Sequence, residues 1–168
     1  VTTQAPTTVL PGTSVPSGNN SGNNNTGNNN ENNSNNKSHN ANLQNVTIGS
    51  LTLFQRDIFG NKGTTGFNPN VSYYVAETPI GFQTASVAIN LEAADAKSKV
   101  YYMINDREDG NKPIRPYALS DGTAYNLTLS PKTVLDINVT VKAEDGSTMK
   151  FYSINLTWER TLIEKIQV

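Results

Sequence analysis

The segment Asn105-Asp106-Arg107-Glu108-Asp109-Gly110-Asn111 is denser in oxygen ligands than any other stretch of this 168-residue chain. Calcium prefers a cage of several oxygens, and Asp106, Glu108, Asp109 and Asn111 could offer them from a loop in which Gly110 allows a sharp turn. These four residues are therefore the candidate metal ligands. The stretch lacks the EF-hand spacing and its closing bidentate Glu, and a solvated charged turn is the simpler reading of the same residues.

Aromatic and arginine side chains form the second group able to do chemistry. A flat ring can cover the apolar face of a sugar. Tyr74 and Tyr101 fall on phases that face away from the expected core, and Tyr117 falls in a long segment from Asn105 to Thr123. That segment also carries Arg107 and Arg115, of a type enriched at binding hot spots, and is stiffened by Pro113 and Pro116. Loops at the end of a sandwich can vary without disturbing the core. A partner site is accordingly expected on this loop and not on the sheets, whose outward positions read as Thr, Asn and Lys. Trp158, Tyr152 and Tyr102 fall on inward phases.

Catalytic constellations are not legible. His39 is the single histidine and lies at the end of a polar tract, away from any carboxylate or serine that a fold would hold beside it. Glu144 and Asp145 are neighbours in a turn, which is not the cross-cleft pair that glycoside hydrolysis uses. With no cysteine there is no thiolate nucleophile, thiolate metal site or disulfide. The expectation is a protein that is not an enzyme and has no resident cofactor beyond the calcium candidate. Thirteen basic and fourteen acidic residues give a net charge of -1. No basic field is present to attract nucleic acid, no run is apolar enough to cross a bilayer as a helix, and a monomer is expected.

The elements that must position these residues begin after residue 42. From Val1 the chain is rich in Thr, Pro, Ser and Gly, then mostly Asn, and between Val15 and Leu43 there is no Val, Ile, Leu or Phe. Such a tract has too little apolar area to offset the entropy of ordering it, so residues 1–42 read as a disordered linker. Seven short runs with period two follow: about 46–54, 71–76, 86–91, 99–104, 125–129, 134–143 and 149–158. In the first, the Gly49-Ser50 pair marks a bulge or a strand switch. In the last two, Leu135, Ile137, Val139 and Val141, then Tyr152, Ile154, Leu156 and Trp158, point one way, while polar residues point the other. Asp145-Gly146 between them supplies the positive φ of a tight hairpin. The prediction is an all-β, seven-stranded antiparallel sandwich of immunoglobulin-like size over residues 43–160, with 161–168 a tail or the start of another linker.

The segments Phe67-Asn68-Pro69-Asn70-Val71-Ser72-Tyr73-Tyr74-Val75, Val141-Lys142-Ala143-Glu144-Asp145-Gly146-Ser147-Thr148 and Phe151-Tyr152-Ser153-Ile154-Asn155-Leu156 carry a family resemblance. In this order they resemble the bacterial cadherin-like β-sandwich domain over about residues 43–160, with 105–123 longer than the hairpin expected there. The resemblance implies a non-catalytic extracellular module, at the cell surface or wall, acting as a spacer or a protein-interaction and adhesion unit. The alternative is a carbohydrate-binding module that takes cell-wall or plant polysaccharide.

Overall fold

A computed structural model describes residues 36–159. Residues 1–35 of the linker expected over 1–42, and the tail expected over 161–168, lie outside them. The described part is all-β, as its period-two patterns require. Ten strands form it: β1 (Leu43–Ile48), β2 (Leu53–Arg56), β3 (Lys62–Thr65), β4 (Tyr73–Thr78), β5 (Ala85–Ala93), β6 (Lys99–Asp106), β7 (Lys112–Leu119), β8 (Tyr125–Leu129), β9 (Leu135–Lys142) and β10 (Met149–Trp158). They make a small sheet, β1-β5-β8, and a large one, β3-β2-β4-β10-β9-β6-β7.

The count exceeds seven for three reasons. The first run divides at Gly49, where φ is +52° and the amide donates to Ala88 O; β1 stays in the small sheet and β2 crosses to the large one. The Lys62-Gly63-Thr64-Thr65 edge strand has no apolar residue to announce it, and all four positions are exposed. Most of the segment from Asn105 to Thr123 is the end of β6 and the whole of β7, not a loop. Nor is the pairing wholly antiparallel: β10 runs parallel to β4 on one side and antiparallel to β9 on the other.

The core lies between the sheets. Across the inner face of the large sheet Tyr74, Ile154, Ile137 and Ile104 stand in register on four adjacent strands, and all are fully buried. Val46, Ile48, Val87, Ile89, Leu127 and Leu129 cover them from the small sheet. Tyr102 and Tyr152 are buried as their phase predicts, whereas Trp158 is only partly covered, with the Lys132 ammonium 5.0 Å above its ring.

Residues 38–42, read from composition as the end of the linker, are bound to the fold. Ala41 joins the core cluster. Ser38 N donates to Glu144 Oε2 (3.1 Å), Asp145 N donates to Ser38 O (3.2 Å), and Lys150 Nζ donates to Asn42 Oδ1 (2.8 Å). His39, though exposed, does not lie away from any carboxylate: its Nδ1 lies 2.6 Å from Asp145 Oδ2. A composition rule averages over this short stretch and misses it, because the affinity comes from a hairpin a hundred residues away.

This clasp depends on carboxylates. The Thr148 hydroxyl and amide, followed by the Ser147 amide and hydroxyl, hold Asp145 well below the usual carboxylate range. Ser38 N and then Lys97 lower Glu144, and the Ser38 hydroxyl and Lys97 amide lower Asp95. A depressed folded-state pKa stabilises the fold fully above the ordinary carboxylate pKa of about 4, and that contribution is lost progressively as pH falls from there through the lowered pKa. Amide protection at Asn42 and Leu43 is therefore expected to be full at neutral pH and to fall selectively on acidification below about pH 4. Unchanged protection there while the rest of the domain stays folded would contradict this.

Candidate interaction face

The outer face of the large sheet gathers apolar side chains that the core does not use. Phe151 on β10, Thr140 on β9, Tyr101 on β6 and Leu119 on β7 occupy one row across four strands. Tyr117 stacks on Tyr101, with ring centroids 5.7 Å apart and planes 11° apart. Phe151 is 63% exposed, Tyr117 54% and Leu119 50%; Met149 and Tyr73 beside them are about as open. Ser72, Tyr73, Asn138, Met149, Phe151 and Ser153 line a shallow cleft of about 570 Å³ next to this row.

A polar ladder borders it. Arg56 donates to Asn155 Oδ1, Asn155 Nδ2 donates to Asp136 Oδ1, and Arg107 Nε lies 3.5 Å from Asp136 Oδ2. Each group is held by the next across β2, β10 and β9, so the charges are oriented before any partner arrives. An apolar centre with a polar margin is the usual anatomy of a protein-binding patch.

The segment on which a partner site was expected is mostly strand, and the outward sheet positions, expected to be Thr, Asn and Lys, also carry exposed Phe151, Met149, Tyr73 and Leu119. The signal was present: the run 99–104 is apolar on both phases, and the last strand extends back to Phe151 and Met149 on the phase opposite Tyr152 and Ile154. Of the five ligand candidates, Tyr101, Tyr117 and Arg107 come together on or beside this face. Tyr74 does not. Val71 N is turned back onto Asn68 O, so the alternation restarts at Tyr73 and Tyr74 points inward, fully buried.

Arg115 is also removed from the ligand set, by the bulged pairing of β6 with β7. Between the pairs Tyr102–Ala118 and Asn105–Pro113, β7 carries extra residues, and the ladder is locally irregular. The Arg115 guanidinium lies 3.5 Å over the Tyr102 ring and donates to Tyr102 O, Ala118 O and Leu119 O. Its donors close the bulge. Pro113 and Pro116 on this edge strand lack N–H groups and discourage pairing with another chain.

The metal candidates form the β6–β7 turn. Asp106 Oδ1 accepts from Glu108 N (2.9 Å) and Asp109 N (3.3 Å), and Asp109 pairs with Lys112 at 3.4 Å. Gly110 and Asn111 have φ of +66° and +61°, and Lys112 N closes the turn on Asp109 O. The Asp106 carboxylate is thus turned onto its own backbone. Among the described residues no three His, Cys, Asp or Glu side chains gather in a way that could hold a metal ion.

Two further features escaped the sequence. Ile58 and Phe59 are both 84% exposed at the β2–β3 tip. Asp57 Oδ1 accepts from the amides of Phe59 and Asn61 and fixes this tip. The second is the group at His39, where Asp145 Oδ2 takes both the ring and the Thr148 hydroxyl. That hydroxyl donates its hydrogen bond to the carboxylate and lies 3.4 Å from Nδ1, the ring nitrogen already facing Asp145, so the trio ties the incoming chain to the β9–β10 turn.

Compared with known proteins, the chain matches no protein-family model, and no curated protein matches its sequence.

Proposed function

We propose that this chain is a non-catalytic extracellular module of a bacterial cell-surface protein and that it binds another protein through the outer face of its large sheet. The observation that carries the reading is the exposed row of Phe151, Tyr101 and Leu119, with Tyr117 against it and the Arg56–Asn155–Asp136 ladder at its border. Leu119 and Met149 favour a protein partner over a sugar, because an aliphatic side chain fills a pocket but cannot stack on a pyranose. The surface location rests on the resemblance of the Phe67–Val75 and Val141–Leu156 segments to the cadherin-like β-sandwich domain.

A carbohydrate-binding module is the second reading, favoured by the nearly parallel Tyr101 and Tyr117 rings. One experiment separates the two. The domain and a Tyr101→Ser, Tyr117→Ser, Phe151→Ser variant are passed over immobilised surface and matrix proteins and over cell-wall and plant polysaccharides. Outward serines leave the core untouched, so the variant is expected to melt like the parent yet lose a protein ligand by at least tenfold, roughly the 1.4 kcal/mol expected of removing exposed anchors. Binding confined to polysaccharide and lost in the variant would install the second reading. Protein binding undiminished in the variant would remove the face from the proposal.

A further inference from the structure

We infer that the domain is built to carry tension along its strands, with load entering at the His39–Asn42 clasp and leaving at Glu159. The inference stands on topology and does not depend on the binding face. Chain lies on both sides of the described domain, so any pull between those flanks passes through these two points.

The points lie at opposite ends of β10. At its start, the turn between β9 and β10 holds the incoming chain through Asp145 N to Ser38 O and Glu144 Oε2 to Ser38 N, and the Tyr152 hydroxyl accepts from Leu43 N at 3.1 Å. At its far end Glu159 N donates to Thr78 O at 2.9 Å. Ten residues of strand separate them, about 33 Å at the usual rise. β1 runs in the same sense as β10, since it begins beside Tyr152 and leads through Gly49 to Leu53, which stands opposite Ala76 and so beside Leu156.

A pull on the two flanks therefore drags β1 backward and β10 forward along their own axes. Ladder hydrogen bonds lie across the strands, so a load along a strand shears many of them at once, whereas a load across the strands opens them in turn. β10 is held on both sides against such a load. It is flanked from Met149 opposite Lys142 to Leu156 opposite Leu135 on one side, and from Ser153 opposite Tyr73 to Trp158 opposite Thr78 on the other. A last strand at a sheet edge would have one partner; this one has two. β1 is held by β5 from Leu43 opposite Ala93 to Ile48 opposite Ile89, and its entry is pinned by the clasp.

The absence of cysteine makes the test direct, because two introduced cysteines are the only attachment points. Lys37→Cys with Glu159→Cys loads the domain along β1 and β10. Thr65→Cys with Lys112→Cys, exposed positions on the two edge strands at one end of the large sheet, loads the same domain across its strands. In single-molecule pulling at one speed, the first pair is expected to resist a severalfold higher force than the second. Adding Asp145→Ala to the first pair is expected to lower its rupture force, while thermal unfolding shows both pairs still folded. Equal forces for the two pairs, or a weaker lengthwise pair, would overturn the inference.

Discussion

Replacing Tyr74 by Ala is expected to cost about 3–5 kcal/mol of stability, a large part of what a domain of this size possesses. The ring is fully buried, stacks on Phe67 at a centroid distance of 5.4 Å, and fills the end of the core between β4 and the Phe67–Asn70 turn. Its hydroxyl donates to Asn68 O and accepts from Asn68 N at 3.1 Å, which fastens the turn to the strand that follows it. Immunoglobulin-like sandwiches use a buried tyrosine in a related way, tied to backbone a few residues upstream. Burial pushes the Tyr74 phenol above its ordinary pKa, which keeps it a neutral donor throughout the usual pH range. The conservative variant separates the two contributions. Tyr74→Phe keeps the ring but leaves Asn68 N without its acceptor, while Asn68 O keeps Val71 N, and about 1–3 kcal/mol should be lost. Urea unfolding of both variants checks this; a Tyr74→Ala protein within 1 kcal/mol of the parent, well inside the roughly 3 kcal/mol floor for such a deletion, would mean that the ring is not part of the core.

Ile137→Ala is expected to destabilise by about 2–5 kcal/mol. Ile137 sits at the middle of the row Tyr74–Ile154–Ile137–Ile104, with a strand on each side and the small sheet above, and has no exposed area. Its neighbours are β-sheet residues pinned by ladders on both flanks, so they cannot collapse into the space left behind, and the cost should fall toward the upper end. Asn138→Ala, one residue along on the outer face, should change stability by less than about 0.5 kcal/mol because no core contact is lost. The contrast between adjacent positions is the measurement: comparable losses at both would show that the strand phase is wrong.

Both predictions rest on a strand phase that the sequence made readable for β9 and β10 and obscured for β4. In β9 every second residue is apolar and every other one is Asp, Asn, Thr or Lys, so water and core select the two faces without reference to anything else. Gly49-Ser50 and Asp145-Gly146 were equally legible, since only a change of backbone direction explains glycine at those points; a Cβ on Gly49 would come within 2.9 Å of Val87 Cγ1. β4 was different. Its Tyr73-Tyr74-Val75-Ala76 is apolar on either phase, and the turn before it, where Val71 N donates to Asn68 O, is a feature that no periodicity records.

What the amino-acid order determined by itself is local: an all-β chain, its strong strands, its turns, and the types of side chain available for a site. What only the tertiary structure decided is which distant groups meet. Arg115 looked like a binding arginine until the bulged β6–β7 pairing gave its donors backbone carbonyls and the Tyr102 ring. Asp106 looked like a metal ligand, and the turn engages its Oδ1 with the amides of Glu108 and Asp109. His39 looked remote from any carboxylate until Asp145, more than a hundred residues away, came within 2.6 Å. The outer face is the same case in reverse, for Phe151, Tyr101 and Leu119 are far apart in sequence and become one row only because β10, β9, β6 and β7 pair in that order. Alternation fixes which way a side chain points along its own strand; strand order and register, set by the packing of the whole core, fix what stands beside it.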